Sequence, residues 1–471
     1  MVRGTRIHRA WSKSVRISEA AAKLVIFLFM GVMVIRSAGA LPPNFQETTV
    51  FSGLSEPTAL QFAPDGRVFV AEKRGVIQVF ENLSDSTPTV FADLRTKVYN
   101  FDDRGLLGLA VDPDFPARPY VYVLYTHDAA IGGTAPRWGA PNTDSDPCPN
   151  ADGCVVSARL SRLEAAGSVM TGLEQVLVED WCQQYPSHSI GTLAFGADGA
   201  LYVSGGEGAS FGFVDYGQGG NPRNPCGDPP GGVGASLSPP TAEGGALRSQ
   251  DLETGGDPVG LNGTILRIDP DTGNGLPDNP LASDPDVNAR RIVAYGLRNP
   301  FRFTLRPGST EVWIGDVGWT NWEEINRITD PTASVHNFGW PCYEGNGSQS
   351  GYDGAGLSIC ENLYSAPAAV TAPAYAYNHG ATVVPGETCP AGSSSLSGLA
   401  FYNGGAYPTS YNGALFFADY SRSCIWVMFN PPGTTSTDPA LVAAYGFNEG
   451  AGTTAGDGSG SGHTGTISGA T

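Results

Sequence analysis

The chain repeats a short strand–turn–strand pattern, and this repetition limits its possible folds more than any other feature. Residues 54–82 read LSEPTALQFAPDGRVFVAEKRGVIQVFEN. A strand, a Pro-Asp-Gly turn, a second strand, a Gly turn and a third strand make a meander. The pattern returns at 105–126, at 188–208 with a continuation at 263–269, at 292–328 and at 397–429. Units of this kind bury their apolar faces by stacking on one another, which is the signature of a β-propeller. The expected fold is therefore all-β, a β-propeller over residues 45–430. Five blades are recognisable. A β-sandwich is disfavoured by the number of similar units, and a parallel β-helix by the lack of a short fixed period. The 63 glycines, 36 prolines and 15% charged residues suit turns and long loops rather than a helical bundle. Three insertions, at 129–153, 217–260 and 337–384, are rich in small residues; on a propeller such loops gather on the faces, where binding sites lie.

The ends of the chain read differently. Residues 1–40 carry seven Lys/Arg against one acid, followed by the apolar run Leu24–Ile35 and the small residues Ala38-Gly39-Ala40. This pattern predicts a secretory signal over 1–40, since the run is too short to span a bilayer. No later stretch is apolar enough to cross one, so a secreted, extracellular or periplasmic protein is expected. Without that segment the balance is 20 basic to 45 acidic residues, which repels nucleic acid and anionic membranes. All eight cysteines lie beyond it, and an even count in an exported chain predicts disulfides. Pairing between sequence neighbours gives 148–154, 182–226, 342–360 and 389–424. Residues 431–440 read as a Thr/Ser/Pro linker.

One unit carries candidate chemistry. In HSIGTLAFGADGALYVSGGEG, residues 188–208, two strands flank a Gly-Ala-Asp-Gly turn. His188 precedes the first strand and Glu207 follows the second, so the hairpin brings them to its open end. An imidazole oriented by a carboxylate makes a general base.

Six segments in order, DRGLLGLAVDPDF, HSIGTLAFGADGALYVSGGEG, GTILRIDPDTG, AYGLRNPFRF, GDVGWTNWEEIN and NFGWPCYEG, resemble the glucose/sorbosone dehydrogenase family. That family includes soluble sugar dehydrogenases using pyrroloquinoline quinone (PQQ) on a six-bladed propeller, and also propellers, such as hedgehog-interacting proteins, not known as enzymes. The resemblance implies a base at His188 supported by Glu207, where the family usually has Asp. It implies quinone contacts from Arg298 and Asn299 and from Asp103 and Arg104. It places a calcium ion on the backbone carbonyls of Gly318 and Trp319. The implied reaction is oxidation of an aldose at its anomeric carbon, with an external electron acceptor. Two departures favour a silent propeller that binds carbohydrate or a protein partner. Asn403 stands where the enzymes place a Lys or Arg against the quinone, and no sixth unit follows Phe429. Residues 441–471 resemble the opening strands of a laminin-G/concanavalin-like jelly roll, so the chain reads as a fragment or fusion.

Overall fold

The computed structural model describes residues 48–149 and 152–429, with the backbone of three short strands further on. Val, Ile, Phe and Tyr fill the strands, and Asp, Gly and Pro the turns, as the pleat and the reverse bends require. The first sheet is β1 (Pro57–Phe62), β2 (Val68–Glu72), β3 (Val76–Phe80) and β4 (Thr89–Asp93), neighbours in chain order. The second is β5 (Leu106–Val111), β6 (Tyr120–His127), β7 (Val156–Ala166) and β8 (Val169–Gln183). β9 (Ile190–Phe195), β10 (Leu201–Gly205), β11 (Thr264–Ile268) and β12 (Ile292–Tyr295) make the third. The fourth begins with β13 (Arg302–Leu305), β14 (Val312–Asp316) and β15 (Trp322–Ile328). The chain then adds β16 (His336–Asn337) in parallel to β12. It forms a small hairpin from β17 (Tyr343–Glu344) and β18 (Gly347–Ser348), and it completes the fourth sheet with β19 (Tyr375–Asn378). The fifth sheet is β20 (Leu396–Phe401), β21 (Leu415–Asp419), β22 (Cys424–Met428) and β23 (Ala443–Tyr445).

These are five blades of a β-propeller, stacked through apolar faces. Phe69, Ile77 and Val79 meet Leu109, Val121 and Val123 between the first two. Leu160 and Trp181 meet Leu193, Val203 and Leu266 between the second and third. Ile265 and Val293 meet Phe303 and Ile314, and Trp313 and Tyr377 meet Leu396, Phe417 and Trp426. Each such buried side chain contributes about 1.5–3 kcal/mol by leaving water. The first strands β1, β5, β9, β13 and β20 pack in succession, but β20 and β1 do not pack on one another as their neighbours do.

All four expected disulfides are present: Cys148–Cys154, Cys182–Cys226, Cys342–Cys360 and Cys389–Cys424. The segment expected to open a jelly roll supplies β23 to the fifth blade and a two-stranded pair, Thr454–Ala455 with Gly465–Thr466. The expected signal at 1–40, the linker at 431–440 and the rest of 441–471 lie outside the described residues. Among the described residues no helix is long and apolar enough to cross a membrane.

Candidate functional site

A cavity of about 650 Å³ opens where the first strands converge. Thr58 and Lys73 come from the first blade, Asp103 and Leu107 from the second, His188 and Ile190 from the third, Arg298, Asn299 and Gly318 from the fourth, and Ser394, Ser397 and Tyr420 from the fifth. Every blade therefore contributes to one hollow.

His188 and Glu207 meet directly: Nδ1 lies 2.8 Å from the Glu207 Oε1. The β9–β10 ladder continues past its last strand residues to achieve this. The Gly206 N–H donates to the Ser189 carbonyl and the Gly208 N–H to the His188 carbonyl. Gly206 is required here, since a Cβ on it would overlap the His188 carbonyl. His188 itself sits at φ +50°, the left-handed region that few side chains tolerate. The second Glu207 oxygen, Oε2, accepts the indole N–H of Trp340. Both residues are buried. Burial pushes the Glu207 carboxyl up to about 7, against the charges of Arg298 and Arg248 and the Trp340 donor. Burial and the Arg298 charge hold the His188 ring well below its ordinary value. Two N–H donors converging on two carboxylate oxygens favour ionised Glu207 and neutral His188 protonated at Nδ1. Nε2 is then the basic nitrogen offered to a ligand in the cavity.

The turn after β12 carries the cation. Asp316, at the end of β14, accepts the backbone N–H groups of Arg298 at 3.0 Å and Asn299 at 2.6 Å. So anchored, the Arg298 side chain runs under Trp340, 5.4 Å from its ring, and Nη1 donates to the Val317 and Gly318 carbonyls at 2.8 Å each. The Glu207 N–H donates to the Arg298 carbonyl, which ties the guanidinium turn to the His188–Glu207 pair. Arg298 Nε is buried with no hydrogen-bond partner.

The loop 319–322 lies against this turn because four of its N–H groups, from Trp319 to Trp322, and the Thr320 hydroxyl converge on the Glu344 carboxylate. Burial opposes ionisation of Glu344, yet these donors outweigh it and hold its pKa below the ordinary value. A depressed carboxyl stabilises the fold above its unfolded pKa and loses that stabilisation as pH falls through the folded value. Glu344→Gln is therefore expected to cost about 1.5–3 kcal/mol at neutral pH. The gap from wild type should narrow as the pH falls below the ordinary carboxylate range. Thermal melts at neutral and acidic pH check this.

Most of the residues expected from the sequence come together. His188, Arg298, Asn299, Asp103, Gly318 and Trp319 line the cavity, and Glu207 stands behind His188. Two do not. Asn403 is exposed and follows the far end of β20, whereas the cavity is lined from that strand's start, at Ser394 to Ser397. Six extended residues put about 20 Å between the two ends. Arg104 is fully buried and turned away from the cavity. Its guanidinium donates to the carbonyls of Cys154, Gln183 and Tyr185 and to Ser189 Oγ, strapping down the loop that presents His188. Arg104→Met leaves those acceptors unpaired and is expected to lower stability by about 3–5 kcal/mol, read by chemical denaturation.

The sequence reading missed Lys73, which sits in the Gly turn between β2 and β3 and donates to Asn100 Oδ1 at 2.8 Å. Lys73 brings to the cavity the second cation that Asn403 does not. It also missed Phe211 and Tyr420, 60% and 81% exposed at the mouth, and the Trp340 donor to Glu207. Trp340 lies in the 337–384 insertion, and the expected disulfide Cys342–Cys360 beside it was the signal that its loop is held in place.

Lys73, Arg298 with its orphan Nε, the Asn299 amide and the apolar walls Leu107, Ile190, Phe211 and Phe301 suit a flat, polyanionic ring system, and so fit the quinone. The calcium fits less well. The Gly318 carbonyl already accepts the Arg298 guanidinium, and no group of three or more His, Cys, Asp or Glu among the described residues is arranged to hold a metal ion.

Comparison with known proteins accords with this arrangement. The sequence profile described as "Glucose / Sorbosone dehydrogenase" matches residues 54–223 and 248–441. Quinoprotein glucose dehydrogenase B of Acinetobacter calcoaceticus is 27% identical over 331 residues, 69% of this chain and 58% of that protein. Aldose sugar dehydrogenase YliI of Escherichia coli is 23% identical over 389 residues, covering 81% and 80%. The chain thus spans less than two thirds of the first of these relatives. The PQQ-bound aldose sugar dehydrogenase of Streptomyces coelicolor superimposes with a TM-score of 0.52 at 20% identity, over 85% of this chain and 86% of that one, a likeness of fold.

Proposed function

The chain belongs to the glucose/sorbosone dehydrogenase family, and we propose that it is a secreted quinoprotein that oxidises an aldose at C1 to the lactone. The observation that carries this reading is the buried His188–Glu207 pair beside Arg298 at the wall of one large cavity. PQQ, when bound, supplies the two-electron acceptor that no side chain provides. The chain's own residues do the rest. Glu207 and Trp340 fix the ring of His188, whose Nε2 takes the proton of the anomeric hydroxyl. Arg298 and Lys73 meet the ligand's negative charge, and Asn299 offers an amide beside them. Phe211 and Tyr420 give a sugar ring apolar faces at the mouth.

Those same two exposed rings favour a second reading, a propeller that binds glycan without turning it over. One preparation separates the two. Reconstituted with PQQ, the first reading expects saturable quinone binding and dye reduction with at least one of a panel of aldoses. A folded protein that binds sugar but reduces no dye supports the second.

A further inference from the structure

We infer that the Arg298 guanidinium occupies the carbonyl cradle where a divalent cation would sit, so that this chain binds its quinone without a divalent metal. The inference rests on the quinoprotein reading above and concerns the source of positive charge in that site. A carbonyl that ligates calcium offers its lone pairs to the ion at about 2.3–2.6 Å. Here the Val317 and Gly318 carbonyls both offer theirs to Arg298 Nη1, at 2.8 Å. A divalent ion on the Gly318 oxygen would lie a few ångströms from a fixed cation, and like charges at that range in a buried site repel strongly.

Arg298 is not free to swing away. Asp316 holds its backbone N–H and that of Asn299, and the Trp340 ring covers the guanidinium. The residue is 4% exposed. The carboxylates packed around the Arg298 turn are engaged elsewhere, while Asp102 and Asp103 line the second-blade wall of the cavity. Asp316 accepts those two N–H groups, Glu344 accepts the N–H groups of the 319–322 loop, and Glu207 accepts from His188 and Trp340. A guanidinium also does what a metal cannot: it stays in place at any calcium concentration and directs several N–H donors at carboxylate or quinone oxygens.

The test is an equilibrium titration of wild-type protein with PQQ, followed by quenching of tryptophan fluorescence, once in EGTA and once in millimolar calcium. The expected dissociation constants agree within about threefold, the scatter of one weak contact. Arg298→Met, shown to be folded by its circular dichroism, is expected to bind roughly 10–100-fold more weakly in both buffers. Binding that is lost in EGTA and restored by calcium overturns the inference while leaving the quinoprotein reading intact. An unchanged affinity in Arg298→Met overturns it as well. Absence of PQQ binding in both buffers removes the quinoprotein reading, and the inference with it.

Discussion

His188→Asn is expected to lower kcat/KM for aldose oxidation by about 10³-fold or more, the usual weight of a positioned general base. Asparagine is the right replacement because position 188 lies at φ +50°, where Asn is better tolerated than Ala. The variant should keep its thermal midpoint within a few degrees and its PQQ affinity within a few fold, since Arg298 and Lys73 are untouched. Loss of turnover with binding retained places the defect at proton removal. Steady-state kinetics beside a fluorescence titration measures both. Undiminished turnover in the variant would remove His188 from the chemistry.

Glu207→Gln tests the other half of the pair and should lower kcat by roughly 10²–10³-fold with little change in KM. Glu207 accepts from His188 Nδ1 and from Trp340 Nε1 through different oxygens. An amide can accept only one of those bonds and turns its NH2 group toward the other donor. The pH profile adds a readout that a packing defect would not produce. In the wild type the first proton added to the pair lands either on Nε2, giving imidazolium, or on Glu207, which shifts the ring's own proton to Nε2. Both outcomes block the basic nitrogen, so the limb belongs to the pair. With the Glu207 carboxyl raised to about 7, activity should fall as pH drops through that region and reach its plateau above it. The amide of the variant carries no titrating proton, and burial and Arg298 hold the His188 ring well below its ordinary value. The limb in the variant should therefore move to lower pH while the plateau sinks.

The blades were legible in the sequence because each meander announces itself through turn residues and alternation, signals that act over a few positions. The disulfides were legible because each cysteine pairs with the next along the chain, across separations of 6, 44, 18 and 35 residues. His188 and Glu207 could be placed at the open end of one hairpin, but their contact depends on Gly206 allowing the backbones to close up, which no pattern announces. Arg104 was misplaced because residues 101–104 form a turn, closed by the Arg104 N–H on the Phe101 carbonyl, that sends Asp103 to the cavity and Arg104 to the interior. Asn403 was misplaced because motif position does not say which end of a strand faces the hollow. Lys73 could not be found before the five blades were set around one cavity. Its role is a property of the ring, not of its own turn. The Arg298 contact with the Gly318 carbonyl likewise joins residues 20 apart through a tertiary crossing, and it turned an expected metal ligand into a guanidinium acceptor.

The most direct measurement is a single turnover. PQQ-loaded protein is mixed with an aldose under anaerobic conditions, and the absorbance of the reduced quinone is followed in wild type and in His188→Asn. Stoichiometric reduction in the wild type, slowed by deuterium at C1 and nearly abolished in the variant, is the predicted result. A quinone that binds in the cavity yet stays oxidised with every aldose, or that is reduced equally fast without His188, would contradict the account.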